Sequence, residues 1–383
     1  MTTTDTPVNP SAQTDHTKSA VERREAFFSF KTTHDHLENA FQTVMRLIRT
    51  PDCGRLGIGI GPTGAGKSTL LGSAQRKIEI ELGDELRADP SRIPSVIVTA
   101  CPSENHAFNW RLFYLRVLAG CREVASQQKV PIEFLDGRPL FRQMAKADTA
   151  AGLREAVCEV LLQRRPRALF VDEAQHILKT GSGEHLQSQL DVLKTLADEC
   201  KVPIILFGTY SLLIQHEMNG QLGRRSTTIH FPRYRFNVPQ ELTCFDRVLT
   251  TFTAKIPTEI LPDLMAHRDF LFERSLGCIG MLKETLVRAV NLAIQEKTPT
   301  VTKCQLQRSV LDARKCEAIL REILEGERLF EKKAEDAAAQ RLRSSLQMEV
   351  PVREITVRKA SGFPRKPGQR NPTRDPVGMP QPL

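Results

Sequence analysis

The sequence has no long apolar run, no paired-cysteine motif and no internal repeat. Its most hydrophobic stretch, Val202 to Ile214, is shorter than the roughly 20 residues a membrane-crossing helix needs, which excludes a span there. Met1 to Ser19 is rich in Thr, Asp and Pro and has no apolar centre, so it does not read as a secretory leader. The nine cysteines are scattered from Cys53 to Cys316 with no C-x-x-C spacing. That pattern excludes a zinc ribbon or a disulfide frame and predicts free thiols in a reducing, cytoplasmic setting. Proline is absent from 305–347, where Leu, Glu, Arg and Ala are frequent and Gly326 is the single interruption, so that region reads as helix.

What is present is basic. The chain of 383 residues carries 54 Lys and Arg against 45 Asp and Glu, a net charge of +9. An anionic partner such as nucleic acid and a merely solvated basic surface both fit that surplus, and charge alone does not choose between them. The length exceeds one typical domain, and a hydrophobic content of 40% fits polar ends around a folded body. Residues 1–20 read as a disordered tail, 21–238 as an α/β domain, 239–348 as a helical lid with C-terminal helices, and 349–383 as a disordered basic tail.

Within 21–238, apolar residues at helical spacing (Leu37, Phe41, Val44, Leu47, Ile48) precede a breaker at Pro51, Asp52 and Gly54. Strands are then predicted at Leu56–Ile60, Ser95–Ala100, Ala168–Val171, Pro203–Phe207 and Thr227–Phe231. Helices are predicted between them at Lys67–Leu82, around Trp110, Phe113, Leu115 and Leu118, at Ala151–Gln163 and at Leu186–Cys200. Continuously apolar strands alternating with amphipathic helices indicate an α/β fold, a parallel sheet with helices on both faces. After Pro239 the strand pattern stops, and helices near Cys244–Phe252, Glu259–Ser275 and Met281–Glu296 make a small all-helical lid.

The first chemical signal is Gly61-Pro62-Thr63-Gly64-Ala65-Gly66-Lys67-Ser68, followed by Thr69. It matches G-x-x-x-x-G-K-[ST], the P-loop, in which a glycine-rich turn converges backbone N–H groups on phosphate oxygens. Lys67 is placed to reach the β- and γ-phosphates of ATP, the Ser68 hydroxyl to hold Mg²⁺, and the helix beginning there turns its positive end to the anion. Four fixed positions arise by chance in roughly one or two per cent of chains this long, and this match also falls between a predicted strand and a predicted helix.

The second is Ala168-Leu169-Phe170-Val171-Asp172-Glu173, an apolar strand ending in two carboxylates. The crevice of a parallel sheet lies outside its carboxyl ends. There Asp172 would hold Mg²⁺ and Glu173 would orient and deprotonate the attacking water. A helix-starting Asp-Glu pair is the plain alternative. P-loops also serve small-molecule kinases, but Glu directly after Asp favours hydrolysis, making the chain an ATPase.

These motifs, with Phe170–Val171–Asp172–Glu173–Ala174–Gln175–His176, Leu206-Phe207-Gly208-Thr209, Arg224-Arg225 and Ser275-Leu276-Gly277-Cys278-Ile279-Gly280-Met281-Leu282-Lys283, resemble AAA+ ATPases. Within them the chain is similar to the TnsC/TniB type of transposon target-selection ATPase, over about Phe27 to Cys316. The resemblance implies Thr209 at the sensor-1 position beside the γ-phosphate, Arg224 or Arg225 as a finger reaching a neighbouring subunit's nucleotide, and Lys283 where many relatives carry a sensor-2 arginine. It further implies a homo-oligomer, ring or helical filament, on double-stranded DNA, which recruits a transposase and meets a target-selection adaptor of TniQ type. Backbone contacts would then be insensitive to sequence. Asn105, Arg111 and Arg116 are the implied DNA-facing residues, while Trp110 and Phe113 read as core. Helicase loaders and initiators are the nearest alternative, although no strand-bearing segment follows Pro239 to build a winged helix. A nucleotide-switched scaffold without a DNA role is another.

Overall fold

The computed structural model describes residues 20–50, 56–102, 108–122, 132–135, 138–141, 149–178, 184–212 and 226–328, with isolated positions beyond. Met1–Glu331 forms one compact unit and Lys332–Leu383 a second. The expected tails, 1–20 and 349–383, fall outside the described residues except for Ala20.

Five parallel strands form the sheet: β1 (Leu56–Ile60), β2 (Val96–Thr99), β5 (Leu169–Asp172), β6 (Ile204–Gly208) and β7 (Ser226–His230), in the spatial order β2-β5-β6-β1-β7. Every residue of β1 and β6 is buried. Strands covered on both faces need side chains that are apolar in both directions, which explains the unbroken L-G-I-G-I and I-I-L-F-G runs. The edge strand β7 reads S-T-T-I-H and only Ile229 is fully buried. A separate two-stranded antiparallel hairpin, β3 (Ile132–Leu135) with β4 (Arg138–Phe141), was not anticipated from the sequence.

Because alternate strand residues face opposite ways, the sheet divides the core. Ile204 and Leu206 point to one layer with Val117 of α5 (Trp110–Gly120), Val157 of α6 (Ala150–Arg164) and Leu193 of α8 (Glu184–Cys200). Ile205 and Phe207 point to the other, with Val44 of α2 (Asp35–Arg49) and Leu70 of α3 (Lys67–Glu81). Two short helices, α4 (Gly83–Ala88) and α7 (Gln175–Leu178), complete this part, and α1 (Ala20–Ser29) precedes it.

The chain beyond β7 is helical among the described residues: α9 (Pro239–Thr253), α10 (Arg268–Ser275), α11 (Ile279–Gln295), α12 (Lys303–Ser309) and α13 (Ala313–Arg328). Their apolar faces form a core of their own around Phe245, Leu249, Leu282 and Leu286, which also takes in Phe27 from α1. Pro239 starts α9 where its missing N–H costs nothing, and Thr302 with Gln305 forms a capping box on α12.

Two expectations need correction. The helix expected over 259–275 begins only at Arg268, after a 3₁₀ turn at Met265–His267, because Pro262 cannot supply an amide within it. The helix expected over 305–347 breaks at Val310 to Asp312, and Gly326 lies inside α13 instead of interrupting it. Gly326 is required by packing: a Cβ there would fall 2.0 Å from Cγ of Tyr210.

Gly326→Ala is therefore expected to lower stability by about 1–3 kcal/mol through overpacking. Gly83→Ala, whose Cβ would meet nothing closer than 3.9 Å, should be neutral or slightly stabilising. Thermal unfolding of the two variants beside the parent checks this.

Candidate nucleotide site

The turn between β1 and α3 is shaped by three glycines. Gly61 donates its amide to the Gly208 carbonyl at 3.3 Å, and a Cβ on it would meet the Phe231 carbonyl oxygen at 2.3 Å. Gly64 and Gly66 have φ of 75° and 108°, left-handed values that favour glycine. Gly66 then caps α3 without a side-chain hydrogen bond, so the amides of the first turn are available to an anion. Pro62, Thr63 and Ala65 complete the turn, closed by the Ala65 amide on the Pro62 carbonyl at 3.2 Å.

Lys67 is 7% exposed and folds back over this turn, its Nζ donating to the carbonyls of Gly61 and Pro62 at 2.9 and 2.8 Å. Burial pushes its amine below the usual lysine range, while the charges of Glu173 and Asp172, and more weakly Glu322 of α13, oppose the shift. The Ser68 hydroxyl donates to Asp172 Oδ2 at 2.9 Å, across 104 residues of chain. Two hard oxygen donors thus meet beside the anion-accepting turn, the donor set that suits Mg²⁺ with a nucleotide triphosphate. The residues present fit the group.

Glu173 stands just beyond β5 with φ of 54°, a conformation costing about 1 kcal/mol or more for a residue with a Cβ. The strain is held by three hydrogen bonds. The Glu173 amide donates to Asp172 Oδ1 at 2.9 Å, the Ala174 amide donates to the Phe207 carbonyl at 2.8 Å, and Gln175 Nε2 donates to Glu173 Oε2 at 2.5 Å. Gln175 is buried, and its Oε1 accepts from the Thr209 amide at 3.4 Å. Thr209 follows β6, its hydroxyl 2.9 Å from that of Ser211. One amide side chain therefore links the glutamate to the threonine. Gln175 was legible only as a letter of the D-E-A-Q-H run, with no role attached.

On the other flank, a cavity of about 250 Å³ lies between Ala65, Gly66 and Thr69, the segment Phe28 to Thr32 with His34, and Gly280 with Lys283 of α11. Its walls are largely apolar and aromatic, the lining a nucleoside takes. His34 is kept neutral, burial lowering its pKa to about 4; its Nδ1 meets the Tyr234 hydroxyl at 3.0 Å. A larger hollow of about 510 Å³ lies at the opposite, amino ends of β5 and β6 around Arg167 and Pro203, away from every motif residue. The aromatic wall was missed in the sequence, although Phe27-Phe28-Ser29-Phe30 is a visible concentration in a chain with 6% aromatic residues.

The lid touches the turn directly. The Gly280 amide donates to the Gly64 carbonyl at 2.7 Å, and Met281 packs where a Cβ of Gly64 would be. Lys283 turns away from this contact, its Nζ donating to the Phe27 carbonyl. Arg116 Nη1 donates to the Thr99 carbonyl at 2.9 Å, and Arg111 lies in the first turn of α5. Trp110 packs edge-on to Phe108 and Phe113 and bonds Gln189 at 2.6 Å. Asn105, Arg224 and Arg225 lie outside the described residues. Among the described residues the cysteines are free thiols, no three or more His, Cys, Asp or Glu side chains gather as a metal-binding group, and no helix is long and apolar enough to cross a membrane.

A parallel sheet in this order, with the glycine turn on β1 and the acid pair on β5 one strand beyond its neighbour, is the P-loop AAA+ α/β fold. Residues 53–214 match the AAA domain family. Among solved structures it is similar to the Aeropyrum pernix ORC2 protein in its ADPNP-ADP complexes, at 16% identity and TM-score 0.47 over 76% of this chain and 72% of that one. It is also similar to the Walker-type ATPase paby2304 of Pyrococcus abyssi (14%, TM-score 0.44, 84% and 81%) and to Drosophila ORC bound to DNA (14%, TM-score 0.43, 81% and 68%). No curated protein sequence matches the chain.

Gln175→Leu leaves the Glu173 carboxylate and the Thr209 amide without their shared partner. It is expected to cost about 1–3 kcal/mol, read as a lower denaturant midpoint with an unchanged slope.

Proposed function

We propose that this protein binds and hydrolyses Mg·ATP at the β1–α3 turn. The observation that carries the reading is the 2.9 Å hydrogen bond joining Ser68 to Asp172 beside the buried Lys67. In this reading Lys67 leaves the carbonyls of Gly61 and Pro62 for the β- and γ-phosphates, while backbone amides between Thr63 and Thr69 cradle them. Ser68 and Asp172 hold Mg²⁺, which when bound draws charge from the phosphate oxygens. Glu173, oriented by Gln175, takes a proton from the attacking water. Thr209 faces the γ-phosphate, and Arg224 or Arg225 of a neighbouring copy meets the charge that develops on it.

The finer reading is an ATP-dependent homo-oligomer on duplex DNA that recruits a transposase and answers to a TniQ-type adaptor. It is supported by the resemblance of the Asp172–His176 and Ser275–Lys283 segments to TnsC/TniB proteins and by the surplus of basic residues. Arg111 and Arg116 of α5 are compatible with a phosphate-backbone surface, although Arg116 already donates to the Thr99 carbonyl.

Lys67→Ala is expected to abolish ATP binding in equilibrium titrations with a fluorescent nucleotide; retained affinity would overturn the site. Glu173→Gln should bind ATP normally and turn it over about a hundredfold or more slower. Binding to duplexes of unrelated sequence should require ATP and weaken steeply with salt. Turnover and assembly indifferent to DNA would leave the nucleotide-switched scaffold as the function.

A further inference from the structure

Lys283 lies on the fifth residue of the lid helix that touches the P-loop, and a lysine there could be aimed at phosphate. Its surroundings give it another task. The ammonium donates to the Phe27 carbonyl and sits 3.5 Å from the Phe27 ring centroid, 5.4 Å from that of Phe252 and 5.9 Å from that of Phe30. Phe252 belongs to α9 and Lys283 to α11, both of the lid, whereas Phe27 and Phe30 belong to the N-terminal segment. Phe30 meets Phe252 edge-on at 6.1 Å, so the rings close on one another as well as on the cation. Desolvation in this setting lowers the Lys283 pKa to about 8, and cation–π attraction from the ring faces offsets part of that cost.

The position of this cage gives it a consequence. The segment Phe28 to Thr32 lines one wall of the 250 Å³ cavity beside Gly66 and Thr69, and Gly280 and Lys283 line another. Phe27 itself is 1% exposed and belongs to the lid's apolar core. The wall that a nucleoside would meet is thus attached to the lid.

We propose that Lys283 is a positioning residue that pins the N-terminal segment to the lid through Phe27, Phe30 and Phe252, and so holds the nucleoside pocket closed without touching phosphate. The inference rests on the nucleotide-binding reading above. A lysine that contacts the γ-phosphate would discriminate ATP from ADP; one that builds the pocket wall affects both alike. It would also leave the chemical step alone, so its loss appears in KM and Kd.

The test is Lys283→Met in the full chain, which keeps the stem and removes the cation. Dissociation constants for fluorescent ATP and ADP, and hydrogen exchange of residues 20–33 without nucleotide, are measured together. Both affinities should fall by the same factor, about tenfold for a partly desolvated cation–π site, the segment should exchange faster, and KM should carry the loss. Weakened ATP with unchanged ADP, or slowed turnover with unchanged exchange, would overturn the proposal in favour of a phosphate contact. Phe30→Leu thins the cage without removing the lysine and carries the same test should Lys283→Met fold poorly. An equal but smaller loss for both nucleotides is expected, and unchanged affinities with unchanged exchange would overturn the proposal. Lys67→Ala, run alongside, separates the two levels: if it binds both nucleotides normally, the site itself is wrong, whatever Lys283 does.

Discussion

Gly208 is the residue at which the two halves of the site are brought together. It ends β6, the strand lying between the P-loop strand and the acid-bearing strand. Its carbonyl accepts the Gly61 amide, which sets the start of the glycine turn against the sheet. Its missing side chain leaves the space taken by Gln175 Oε1, which would stand 2.7 Å from a Cβ. A larger residue would displace Gln175, and with it the only side chain among the described residues bonded to both Glu173 and the Thr209 segment. The parallel register of the strands then does the rest. It brings Ile60, Asp172 and Gly208 to the same end of the sheet, so chemistry drawn from three distant parts of the chain converges where the amides at the start of α3 favour an anion.

The lid is built onto this edge through glycine as well. Gly280 approaches the Gly64 backbone so closely that a Cβ would fall 2.5 Å from its carbonyl oxygen. The approach allows the lid helix to hydrogen-bond to the very turn that grips phosphate in the proposed function. A change in the turn's conformation must therefore be felt at the start of α11, and through Lys283 and Phe27 by the N-terminal segment. That chain of contacts connects the turn to the N-terminal segment through packing, one backbone hydrogen bond and the bond from Lys283 to the Phe27 carbonyl.

The P-loop and the acid pair were legible because each is a local signal, a run of eight residues in one case and a strand ending in two carboxylates in the other. The alternation of apolar strands and amphipathic helices likewise gave the sheet. What was not legible depends on residues far apart in sequence. Gln175 acquires a role only when β5 and β6 are adjacent. Phe28 to His34 become a pocket wall only when the lid folds over Gly66, some 30 residues on. Gly326 reads as a helix breaker until Tyr210 is seen to occupy the space where its Cβ would be. In each case the local rule was sound and a tertiary contact overrode it.

The same helix that carries Gly326 explains why the described fold does not end with the lid. Arg233, just after β7, pairs with Glu327 at 3.1 Å with both side chains largely buried, and His230 stacks on Phe330 at 3.9 Å. Ile323 joins the core beside Tyr210, Leu276 and Cys278, and the Cys316 thiol reaches the Arg274 carbonyl. α13 therefore spans from the sheet edge to α10 of the lid. A buried ion pair of this kind contributes little net stability, because desolvation offsets the attraction, but removing one partner strands the other's charge. Glu327 is next to Gly326 in sequence, so the ion pair and the packing on Tyr210 hold the same turn of α13. Tyr210 follows Thr209 directly, so the packing of Gly326 on Tyr210 links the C-terminal helix to the threonine segment at the end of β6.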